Sequence, residues 1–134
     1  MMSNQSDWPD VFPEGVPPDS AVPADGDAFR LVGNIPPSDL DFLSTYEESP
    51  RRQVKDDGIG MFFGVSFHRD LSCSIRTRAR YRPLRSRRIV VGTLKNDHGV
   101  CLATPTSCGP SHLTVWRRTQ SEIHADFIID AEAT

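Results

Sequence analysis

Cysteine is scarce in this chain of 134 residues, which holds only Cys73, Cys101 and Cys108. An odd number makes no disulfide framework and points to a reduced, cytoplasmic setting. Long apolar runs are missing too. No stretch approaches about 18 uncharged apolar residues, so no membrane span is expected. Met1 to Asp10 has neither a basic nor an apolar segment, and so shows no secretory signal. Several motifs that carry chemistry are also absent: there is no P-loop, no G-x-G-x-x-G and no G-x-S-x-G elbow. Gly58-Ile59-Gly60 is too short to cradle a pyrophosphate alone. What remains is 37% hydrophobic and 25% charged residues, enough for one domain with a modest core.

The net charge of −3 conceals a separation. Residues 1–48 hold ten acids against Arg30 alone, whereas residues 69–88 hold eight arginines against Asp70 alone. The two halves can neutralise each other, or the basic half can face an anionic partner. Residues 1–25, rich in Pro, Asp and Gly, read as an extended acidic arm. Its isolated Trp8, Phe12 and Val16 either pin it to the domain or leave it a disordered tail. Residues 26–134 form the domain proper.

Ala28–Val32 reads as a first strand. Ser38 and Asp41 resemble a capping box for a short helix reaching about Tyr46. Alternation from Met61 to Phe67 predicts a strand. Asp70 caps a second helix, whose Leu71, Ile75 and Ala79 recur at i, i+4, i+8 as its inner stripe, and Pro83 stops it. Ile89–Leu94 and Val100–Ala103 read as a hairpin around Asn96-Asp97-His98-Gly99. His112–Trp116 and Phe127–Ile129 complete the set. The expected fold is a single α+β domain with a mainly antiparallel sheet of about six strands and two helices.

Three constellations carry chemistry. Arg76 and Arg80 lie about 40° apart on a helical wheel, opposite the apolar stripe, and Arg85, Arg87 and Arg88 follow. This ridge suits an acidic protein or a phosphate-bearing ligand, because guanidinium groups pair bidentately and stay charged. Nucleic acid is less favoured, since the protein is acidic overall and aromatics are not interleaved with the arginines. His98, Cys101, Cys108 and His112 follow H-x2-C-x6-C-x3-H, a spacing from which a tetrahedral zinc site can be imagined, although Cys101 also reads as a small core hydrophobe.

The third rests on a resemblance. Phe29-Arg30-Leu31-Val32, the run Asn34 to Ser44, Gly64-Val65-Ser66-Phe67 and Ser111 to Trp116 together resemble a group of small bacterial proteins of uncharacterised activity. More distantly they resemble the ADP-ribosyltransferase fold. That second resemblance implies an NAD-using enzyme in which Arg30 holds the pyrophosphate, Ser66 positions the nicotinamide end and His112 orients the ribose. The late strand lacks the glutamate such enzymes use for ordinary mono-ADP-ribosyl transfer. The leading functional expectation is therefore a binding or interaction module built on the arginine ridge, with the NAD-using enzyme as the alternative.

Overall fold

The computed structural model describes residues 8–52, 59–107 and 109–130. Seven strands form one sheet: β1 (Val22–Pro23), β2 (Gly26–Val32), β3 (Val65–His68), β4 (Arg88–Leu94), β5 (Gly99–Ala103), β6 (His112–Arg117) and β7 (Phe127–Ile129). Their spatial order is β1-β5-β6-β3-β2-β4-β7, and every pairing is antiparallel. Among the described residues three helices accompany the sheet: the single turns α1 (Thr45–Glu48) and α2 (Ile59–Phe62), and the longer α3 (Leu71–Arg80). The chain is an α+β domain. No helix among the described residues is long and apolar enough to cross a membrane.

Side chains alternate across a sheet, so the strand register divides this one into two faces. Ala28, Val32, Val65, Phe67, Val90, Leu94, Cys101, Leu113 and Val115 share the first face and are buried. Two 3-10 turns, Asp39–Phe42 and Ile123–Asp126, close over it and contribute Phe42 and Ile123. Phe42, Phe67 and Phe127 meet there with ring centroids 5.4–6.1 Å apart. Arg117 clamps this layer by donating to Phe42 O at 2.8 Å and to Asp39 Oδ1 at 2.7 Å.

The second face is covered in two parts. α3 lies over β2 and β3 with Cys73 and Ser74 buried beneath it. At the other end, Phe62, Phe63 and Trp116 form a cluster with Val100 and Leu102, and Trp8, Phe12 and Val16 pack onto it. The amino-terminal arm is thus seated on the sheet by its isolated apolar residues, and Arg118 stacks on Trp8 at 4.9 Å.

Four local expectations need correction. The helix expected from Ser38 to Tyr46 is two pieces. Asp41 caps a 3-10 turn, the chain extends at Leu43, and Ser44 with Glu47 caps α1 in a second box. The strand expected from Met61 begins only at Val65, because Met61 and Phe62 belong to α2, where Gly60 O accepts from the Trp116 indole at 2.8 Å. The hairpin between β4 and β5 does not form. A 3-10 turn at Asn96–His98, followed by Gly99 at φ 148°, carries the chain across the sheet, so that β5 pairs with β1 and β6.

The fourth correction concerns α3. Ile75 and Ala79 face outwards, and the buried side is Cys73-Ser74. Small side chains let the helix approach the sheet closely, and this buried polar face holds His68 in place.

Asp41 is buried yet remains a carboxylate. It accepts from Gly33 N and Ser38 N, both at 2.9 Å, and from the Asn34 amide. Burial pushes its pKa up, but the bonds from Ser38, Gly33 and Asn34 outweigh that and hold it below the usual carboxylate value. A depressed carboxyl contributes stability above its unfolded pKa, and the contribution is lost as pH falls through the folded one. Asp41→Asn keeps the shape but turns donor against donor. It is expected to cost about 1–3 kcal/mol at pH 7 in urea unfolding, with the difference shrinking below about pH 4.

Candidate functional site

The second face is left open at the seam between its two covers. There, a cleft of about 380 Å³ is bounded by β2, β3 and β6, the end of α3 and the start of α1. Its walls carry Arg30, Glu48, Ser66, His68, Tyr81, Arg87 and His112.

Arg30 reaches this cleft by an unusual route. Its place on β2, opposite Val90, gives it the parity of the first face. However, β2 and β3 pair only at Phe29 and His68 and then diverge. The guanidinium fills that divergence. Nε donates to Asp41 O at 2.8 Å and Nη1 to Ser66 O at 2.7 Å, while the Phe42 and Phe67 rings lie 5.6 and 5.7 Å from it. Burial lowers its pKa to about 10, with Glu48 working in the opposite direction, so the group stays cationic at pH 7.

Two histidines face each other across the β3–β6 pair, with ring centroids 5.5 Å apart. His68 Nδ1 meets Ser74 Oγ at 2.9 Å, and Gly109 sits so close that a Cβ there would lie 2.7 Å from His68 Nε2. His112 Nδ1 lies 3.1 Å from Thr104 O and 2.8 Å from Thr104 Oγ1. The hydroxyl can donate or accept and the carbonyl can only accept, so with the proton on Nδ1 the ring donates to Thr104 and Nε2 keeps its lone pair. Burial, then His112 and Arg76, push His68 down to about 4, and burial likewise lowers His112. Both rings are therefore neutral at pH 7.

A histidine depressed in the fold supports stability fully above its unfolded value of about 6.5. That support is lost as pH falls towards the folded value. Unfolding free energy is expected to drop by up to about 1.4 kcal/mol per pH unit through His68 between about pH 6.5 and 4, with His112 adding in the same direction. His68→Asn should flatten that slope in denaturant titrations. An unchanged slope would place the acid sensitivity elsewhere.

Comparison with protein-family models, with curated proteins and with solved structures returns no match.

The site therefore stands on its own geometry. Arg30, Ser66 and His112, named from three separate segments, line one cleft. The arginine ridge is divided. Arg87 turns into the cleft, and its guanidinium makes no hydrogen bond or ion pair among the described residues, whereas Arg76, Arg80, Arg85 and Arg88 are exposed.

The cysteine–histidine quartet is not assembled. Cys101 faces the first side of the sheet with Val115, and His112 faces the second. His98 is engaged at both ring nitrogens, accepting from Lys95 N at 3.0 Å and meeting Asp126 Oδ2 at 2.7 Å. Cys108 lies outside the described residues. Among those described, no group of three or more His, Cys, Asp or Glu side chains is placed to hold a metal ion.

His68 is the residue that sequence reasoning missed. Its signal was its parity with Ser66, hidden because the expected strand stopped one residue early at Phe67.

Proposed function

We propose that this protein binds a phosphate-bearing small molecule in the cleft, with the Arg30 guanidinium as its charge anchor. The observation that carries this reading is a half-buried, permanently charged guanidinium beside a second, Arg87, which makes no hydrogen bond or ion pair among the described residues, in one small cleft. Burying a cation is costly, and a ligand anion repays that cost through charge-assisted hydrogen bonds stronger than those made in water. The cleft volume lies within the range of small-molecule sites. The neutral imidazoles of His68 and His112, with the Ser66 hydroxyl, supply polar but uncharged contacts for the rest of the ligand.

Isothermal titration with inorganic pyrophosphate, ADP and NAD tests this. Arg87→Ala, which removes no side-chain hydrogen bond among the described residues, should weaken binding about 10–100-fold, the loss expected for one charge-assisted contact. Binding should also weaken as salt rises. Heat that is absent for all three ligands, or unchanged in Arg87→Ala, contradicts the reading.

A second reading, an NAD-using enzyme, is favoured by one observation: Arg30, Ser66 and His112 converge on the same cleft. In that reading Arg30 takes the pyrophosphate, Ser66 the nicotinamide end and His112 the ribose. Its signature is nicotinamide release from NAD that disappears in His112→Ala. Binding without turnover leaves the first reading standing alone.

A further inference from the structure

The outward face of α3 is exposed among the described residues. On a wheel at about 100° per residue, Ala79 lies about 40° from Ile75, and Arg76 and Arg80 follow about 60° and 100° beyond Ala79, so the two arginines flank the apolar stripe and do not stand opposite it as expected. All four are exposed, Ile75 by 41%. Tyr81, at the helix carboxy terminus, is 49% exposed, and Arg80 stacks over its ring at 5.8 Å. Arg85 and Arg88 continue the surface, and among the described residues the side chains of Arg80, Arg85 and Arg88 form no hydrogen bond or ion pair. The expected inner stripe of the helix is thus displayed to solvent inside a ring of guanidinium groups.

We infer that this face docks an acidic segment of a partner protein that carries an apolar side chain for Ile75 and Tyr81. Charge complementarity fixes the sign of the partner, since residues 69–88 hold eight arginines and one acid. The apolar centre fixes its class. A nucleic-acid backbone would pair with the arginines but bury nothing against Ile75 and Ala79, whereas an amphipathic acidic helix satisfies both. Arginine and tyrosine around an aliphatic centre are also the composition of energetically dominant protein contacts. Tyr81 also borders the cleft, but Ile75, Ala79, Arg80, Arg85 and Arg88 do not, because α3 turns its opposite side, Cys73-Ser74, towards the sheet.

The test uses fluorescence anisotropy with a labelled amphipathic peptide of glutamates and helically spaced leucines. Polyglutamate of equal length and a single-stranded oligonucleotide serve as comparisons. The leucine-bearing peptide should bind most tightly and weaken as salt rises. Ile75→Asn should cost about fivefold, and Arg80→Ala with Arg85→Ala at least about tenfold. These are surface positions, so unchanged melting temperatures are expected to accompany the losses. Equal binding of polyglutamate with no effect of Ile75→Asn overturns the inference, as does preference for the oligonucleotide. So does no binding to the amphipathic peptide at low salt, or salt-sensitive self-association through the same residues.

Discussion

Arg30→Met should lower the unfolding free energy by about 2–4 kcal/mol and abolish pyrophosphate binding. The thioether side chain keeps the contacts with Phe42 and Phe67 but donates nothing. Asp41 O and Ser66 O then lose the guanidinium at 2.8 and 2.7 Å, and each deserted carbonyl costs about 1–3 kcal/mol, less where water can reach it. The β2–β3 pair is registered at Phe29 and His68, and the bond from Arg30 to Ser66 O is a further link between the two strands. Arg30→Lys restores the charge but only one of the two bonds, so its stability should lie between the parent and Arg30→Met. Urea unfolding separates these outcomes. A midpoint unchanged in Arg30→Met would mean that the guanidinium neither joins the strands nor is held by them.

Gly99→Ala carries the second large effect. Gly99 opens β5 at φ 148°, a conformation that L-residues rarely adopt, and an added Cβ would press into Trp116 O and lie 2.9 Å from Trp116 C. Backbone strain and a clash with main-chain atoms have no flexible side chain to absorb them. The expected loss is about 3 kcal/mol or more. Gly60→Ala is the matched control. It lies in α2, where a Cβ meets nothing within 4 Å, and alanine there should be neutral or stabilising by up to about 1 kcal/mol. Thermal unfolding that moved both variants alike would contradict the crossing assigned to Gly99.

That crossing also shows why part of the fold was not legible. Asn96-Asp97-His98-Gly99 has the composition of a hairpin turn, and nothing local distinguishes reversal from crossing. The Trp116 carbonyl beside Gly99 settles the direction, and that contact is tertiary. Met61 to Phe67 misled for a similar reason. Its strand-like alternation is produced by Phe62 and Phe63 serving the aromatic cluster beneath the amino-terminal arm. Local signals decided elsewhere: Asp70 and Pro83 bracket α3, and β-branched residues mark β4. The orientation of α3 escaped because the i, i+4 rule assumes that the apolar stripe faces the core. Here a polar inner face serves His68.

The candidate site was legible by residue and not by role. Arg30, Ser66 and His112 were identified from short strand motifs, and the fold brings them to one cleft. The splayed strands that Arg30 fills leave no trace in a linear pattern. Arg87 was grouped with an exposed ridge because its turn into the cleft depends on the 3-10 turn at Arg82–Leu84.

The central claim is that a phosphate-bearing ligand sits on Arg30 between β2, β3 and β6. A pyrophosphate titration followed by proton–nitrogen correlation spectra tests it most directly. The account predicts saturable shifts at the Arg30 Nε–H and at the amides of Ser66, His68 and His112, with the Ile75, Arg76 and Ala79 amides on the outer face of α3 unmoved. Saturable shifts confined to the outer face of α3, or no shifts at the cleft, would contradict it.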